Sequence, residues 1–144
     1  MCKEASFVLT KDKVFWSEKT DSHEESINEF GLSPDSTHGV NILRVELVPP
    51  LNEYFRPTKE WVFSYDQDLL PKWADKEKDE TRTRKELTKW IKAKIILPGK
   101  MVENLKSYCV ANYGTVQHNK GTVHYNKGTV QSNYAGGTVQ SNYA

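Results

Sequence analysis

Tyr113-Gly-Thr-Val-Gln-His-Asn-Lys-Gly-Thr-Val-His-Tyr-Asn-Lys-Gly-Thr-Val-Gln-Ser-Asn-Tyr-Ala-Gly-Gly-Thr-Val-Gln-Ser-Asn-Tyr-Ala144 is the stretch on which the reading of the fold turns. Gly-Thr-Val begins at Gly114, Gly121, Gly128 and Gly137, so the spacing is seven, seven, then nine. A fixed short period means one small structural unit used repeatedly. Thr-Val-Gln or Thr-Val-His is a β-favouring run in which Val116, Val123, Val130 and Val139 are the dependable apolar positions. Asn119-Lys120-Gly121 and Asn126-Lys127-Gly128 read as corners, because Asn and Gly tolerate positive φ. Two folds satisfy this: a β-solenoid with the valines stacked inward in parallel register, or an antiparallel meander with hairpin corners. Like residues recur at like positions over seven residues, which favours the solenoid.

Four valines bury roughly 1.5–3 kcal/mol each, against about 1–2 kcal/mol of backbone entropy for every ordered residue. Such a tail does not stand alone; it docks upstream, assembles with copies of itself, or stays partly unfolded. The sequence stops on a repeat with no polar cap, so the four valines are the expected homo-oligomerisation residues. After Glu103 no acidic residue remains, while Lys106, Lys120, Lys127 and five tyrosines do. Three lysines are too few for strong phosphate binding, and nucleic acid is not an expected partner.

The 144 residues allow one domain with a true core plus an appendage. A net charge of +1 supplies no global field toward nucleic acid or an anionic membrane. No run is long and apolar enough to suggest a transmembrane helix or a signal peptide, and Cys2 and Cys109 lack metal or disulfide spacing. A cytoplasmic protein with no membrane partner is the expectation.

Upstream, Ala5–Leu9 and Val14–Ser17 flank Thr10-Lys-Asp-Lys13 and read as a hairpin. Ser22 caps a short helix with Glu25 completing a capping box, Ile27 and Phe30 facing inward and Gly31 ending it. Leu43, Val45 and Leu47 alternate with Arg44 and Glu46, the clearest strand pattern. Trp61, Phe63 and Tyr65 alternate in the next. Asp79 to about Lys94 is a helix with Thr83, Leu87, Trp90, Ile91 and Lys94 on one side. Ile95–Leu97 is a short strand or helix end, and residues 101–110 link body to repeats. The expected fold is α+β: a compact mixed domain of several strands and two helices over 1–106, then a β-solenoid-like repeat tail over 107–144.

Met1-Cys-Lys-Glu-Ala-Ser-Phe-Val8, Lys13-Val-Phe-Trp-Ser17 and Asp21-Ser-His-Glu24, with Trp61 to Trp73 further on, resemble an uncharacterised family of small bacterial and phage proteins that end in short-period repeats. The resemblance covers about the first hundred residues and carries no established activity. It implies a mobile-element setting in a host cytosol, with a host factor or a signalling molecule as partner.

Candidate chemistry is sparse. Were Met1 removed, Cys2 would carry a thiol beside an α-amine able to act as its base, with Glu4, His23 and Glu24 completing a hydrolase-type site. The plainer reading makes Cys2 a small buried residue and His23 part of a capped helix. Asp66 and Asp68 straddle Gln67 at a strand end; two acids without a glycine-bearing loop do not make a calcium site, and capping the next turn suits them better. A groove lined by Trp61, Tyr65 and Trp73 beside these acids is the candidate binding surface for a host protein or a small ligand. No metal or cofactor is expected. The sequence reading is a non-enzymatic binding protein, in concrete form a phage or mobile-element inhibitor of a host defence factor, or a protein that sequesters a small ligand. Its alternatives are a small N-terminal-cysteine enzyme and a structural, virion-associated protein.

Overall fold

A computed structural model of the chain describes residues 5–36 and 39–143. The chain divides into two compact units, residues 1–89 and 90–144.

In the first unit, β1 (Ala5–Leu9) and β2 (Val14–Phe15) form the expected hairpin, with Val8 opposite Phe15 and Leu9 opposite Val14. Its turn is closed by the Thr10 N–H on the Lys13 carbonyl at 2.9 Å. Helix α1 (His23–Glu29) starts at Ser22, whose Oγ accepts the Glu25 N–H at 3.3 Å. The Ser22 N–H donates to Thr20 Oγ1 at 3.1 Å, a partner the capping-box reading did not foresee. Gly31 ends the helix at φ +62°. Ile27 is buried in a cluster with Val8 and Ile42, whereas Phe30, expected inside, is 39% exposed, with its ring 5.1 Å from that of Phe15. With Gly31 directly after it, Phe30 already lies past the last helical residue, on the rim of that face.

A small antiparallel ribbon, β3 (Asp35–Ser36) and β4 (Gly39–Val40), precedes β5 (Leu43–Val48). Leu43, Val45 and Leu47 are fully buried and their neighbours half-buried, as the alternation predicts. β6 (Val62–Tyr65) completes an antiparallel sheet of order β2-β1-β5-β6. β1 lies between β2 and β5 and all five of its residues are buried, Val8 packing with Ile27 of α1 and Ile42.

Helix α2 (Lys76–Lys94) begins three residues before the expected Asp79, because Asp75 caps it: Asp75 Oδ1 accepts the Lys78 N–H at 3.2 Å, and Asp79 Oδ2 accepts the Asp75 N–H at 2.9 Å. Its buried stripe is Asp79, Thr83, Leu87, Trp90 and Lys94. Ile91 is only half-buried.

The second unit is a parallel β-solenoid. It contains β7 (Ile95–Ile96), β8 (Met101–Leu105), β9 (Tyr108–Asn112), β10 (Thr115–Asn119), β11 (Thr122–Asn126), β12 (Thr129–Asn133) and β13 (Thr138–Asn142). Successive strands alternate between two sheets, ordered β13-β11-β9-β7 and β12-β10-β8, and every pairing is parallel. One coil therefore takes two heptads, and the meander is excluded. Val102, Val116 and Val130 stack in one column, and Cys109, Val123 and Val139 in the other. Ile96, Leu105, Cys109, Val116 and Val123 form the buried core, with Val102, Val130 and Val139 packed against it.

Two expectations change. Residues 101–110 are not a link: they supply β8 and most of β9, and the parallel ladder reaches back to Ile95, upstream of the expected boundary at 106/107. Nor do the corner glycines adopt positive φ; among the described glycines only Gly31, Gly39, Gly99 and Gly136 do. They are glycines because the coils approach too closely for a side chain. A Cβ on Gly114, Gly121, Gly128 or Gly137 would fall on the carbonyl oxygen of Lys100, Ser107, Gly114 or Asn119 respectively. The corner asparagines act through their amides. Oδ1 of Asn112, Asn119 and Asn126 accepts the N–H two residues on, at 3.0, 3.0 and 3.2 Å. Their Nδ2 groups donate to the asparagine one coil ahead, Asn112 to Asn126, Asn126 to Asn142 and Asn119 to Asn133, each at 2.9 Å. The nine-residue spacing leaves the register intact. Ala135-Gly136 loops out, with Gly136 at φ +87°, and Thr138 resumes pairing opposite Thr122.

Candidate functional site

Cys2 and Glu4 of the expected hydrolase-type site lie outside the described residues. His23 begins α1 and is turned onto the sheet: Nε2 donates to the Val45 carbonyl at 2.8 Å, and Nδ1 faces the Asp66 carboxylate at 3.4 Å. Glu24 pairs with Arg44 at 2.8 Å. These contacts fasten α1 to β5. They bring His23 together with Asp66, a pairing the sequence reading did not make.

Between the two acids, Gln67 continues the sheet. Its Oε1 accepts the Arg44 N–H at 2.6 Å and its Nε2 donates to the Ile42 carbonyl at 3.0 Å. Asp68 is exposed. Neither acid has the surroundings of a metal ligand; among the described residues no group of three His, Cys, Asp or Glu side chains could hold an ion.

The expected aromatic groove does not form as drawn. Trp61 is 1% exposed, its indole N–H donates to the Arg56 carbonyl at 3.1 Å, and it meets Tyr54 edge-on. It is a core residue: it directly precedes β6 and is buried like Phe63 two residues on, while Val62 between them is exposed. Tyr65 donates its hydroxyl to Asp79 at 3.0 Å. Burial, and then that bond, push its pKa up to about 12. Asp79 is also paired with Arg82 at 3.1 Å, and the Arg82 guanidinium lies over the Trp73 ring at 5.6 Å. Tyr65, Asp79, Arg82 and Trp73 thus form a connected cluster at the start of α2. Among the described residues, the large apolar side chains this unit exposes most are instead Leu51, at 81% exposure and φ +55°, Leu69 and Val62, ahead of Leu70, Phe55 and Phe30.

On the solenoid, the four valines fall into two classes. Val116 and Val123 are fully buried inside the stack. Val130 and Val139 are half-buried, on β12 and β13, which among the described strands have a parallel partner on one side only. The outward residues pair between coils. The Tyr134 hydroxyl and His118 Nδ1 share a hydrogen bond of 3.1 Å, with Lys120 over the Tyr134 ring, and Tyr125 meets Tyr143, over which Lys127 lies. The tyrosines therefore cover the coils, and His118 and His124 stand on different sheets. The structural feature sequence reasoning missed was the first coil, for which Val102 and Cys109, seven residues apart and in phase with Val116, were the available signal.

Among the described residues, no helix is long and apolar enough to cross a membrane. Comparison with known protein families, curated proteins and solved structures finds no match.

Proposed function

We propose that this chain is a non-enzymatic interaction protein, whose solenoid joins it to a second copy and whose α+β unit binds a partner. The observation that carries the reading is the edge at β12 and β13. Among the described residues, β12 and β13 each have a ladder partner on one side only, beside Val130 and Val139, which continue the two core columns. Strand edges of this kind are templates for pairing with another chain. The units ending there, Gly128–Ala135 and Gly137–Ala144, are the same octapeptide, so a twofold contact places like residues against like. The mobile-element setting implied by the N-terminal resemblance makes a host protein, a defence factor first, the partner to try for the α+β unit. His23 is engaged by Val45 and Asp66, which favours a positioning duty over a catalytic one.

The test is the solution mass of the full chain by light scattering. Twice the 16.6 kDa of one chain is expected. Val139→Lys, which places a charge in the edge column, should return it to one chain with an unchanged far-UV spectrum. A wild-type protein that stays at one chain's mass across concentrations contradicts the proposal.

A further inference from the structure

The opposite end of the solenoid carries a feature that self-association does not use. A cleft of ≈ 520 Å³ opens at the β7–β8 end, within the range of about 300–1,000 Å³ typical of small-molecule sites. Its floor is aliphatic: Ile96, Val102 and Leu105, with the Cys109 thiol beside them, are the first layer of the solenoid core. Its rim is cationic. Lys92, Lys100 and Lys106 line it and are exposed, and among the described residues no acidic side chain lines it. Lys94 also contributes to the wall, but it is buried and lies over the rings of Trp90 and Tyr108 at 5.6 and 5.8 Å, so it is not counted among the rim charges. The C-terminus of α2 adds about half a negative charge at this wall, less than the three ammonium groups supply.

An aliphatic floor under a lysine rim suits a small anion with an apolar tail. We propose that this cleft binds a medium-chain carboxylate, its tail against Ile96, Val102 and Leu105 and its carboxylate at Lys100 and Lys106. The tail gains from leaving water, and the head gains charge-assisted contacts at a rim where both partners stay partly hydrated.

The experiment is calorimetric titration of the full chain with decanoate, and in parallel with decanol, which has the same tail and no charge. Decanoate is expected to bind saturably, one per chain, at least about tenfold tighter than decanol, the value of one charge-assisted contact. The double variant Lys100→Glu/Lys106→Glu should weaken decanoate by about tenfold or more and leave decanol unchanged. Val102→Trp, filling the floor, should abolish binding of both. Each variant's thermal midpoint is measured, and a second floor variant, Val102→Phe, replaces any that fails to fold. Absence of saturable decanoate binding, equal affinity for decanol, or an unchanged affinity in the folded charge-reversal variant overturns the proposal.

Discussion

Gly121 and Gly99 both sit at corners of the solenoid, for opposite reasons. Gly99 holds φ +81° with nothing near its missing Cβ, while Gly121 has no positive φ and lies against the backbone of Ser107. Gly99→Ala should therefore cost only left-handed backbone strain, about 1–2 kcal/mol. Gly121→Ala forces two backbones apart and should cost about 3 kcal/mol or more, read from denaturant unfolding. Equal costs would mean the coils do not approach as described. Cys109 occupies a valine position, and burial pushes its thiol up to about 12, against 9.0 for the ordinary group. The unfolded thiol gives up its proton first. Its contribution to stability is thus complete below pH 9 and is lost as pH rises toward about 12. Cys109→Val should remove that part of the alkaline loss and change stability at pH 7 by no more than about 1 kcal/mol. A variant with the same alkaline profile as wild type would place the thiol outside the stack.

At the scale of elements, the coil's tolerance of Ala135-Gly136 follows from the corner chemistry. Removing these two residues leaves Asn133-Tyr134-Gly137, the tripeptide already present at Asn112-Tyr113-Gly114. The deletion is expected to keep the far-UV spectrum and to alter stability by about 1 kcal/mol or less, since shortening a short loop changes closure entropy little. A large loss would show that the loop is part of the fold. The same corners explain what the sequence made legible. Alternation disclosed β5, the capping serine disclosed α1, and the valine period disclosed a solenoid. The first coil was hidden because Lys100-Met-Val102 and Ser107-Tyr-Cys109 keep the inward apolar position and lose the Gly-Thr-Val wording around it. The candidate site was less legible. Which of Trp61, Tyr65 and Trp73 faces solvent depends on the packing of β6 and the start of α2, and His23 meets Asp66 only through pairing distant in sequence.

For the whole molecule, stability of the solenoid and its association are linked. The inner strands β9, β10 and β11 have neighbours on both sides, whereas among the described strands β12 and β13, like β7 and β8 at the other end, have one, and repeat arrays lose their ends first. Pairing with a second copy would remove that difference at β12 and β13. The most direct measurement is amide hydrogen exchange of the full chain, read by mass spectrometry at a dilute and a concentrated condition. Residues 108–126, the strands flanked on both sides, should be strongly protected at both, and 129–142 should gain protection at the higher concentration. Rapid exchange across 108–126, or protection of 129–142 that does not change with concentration, would contradict the account.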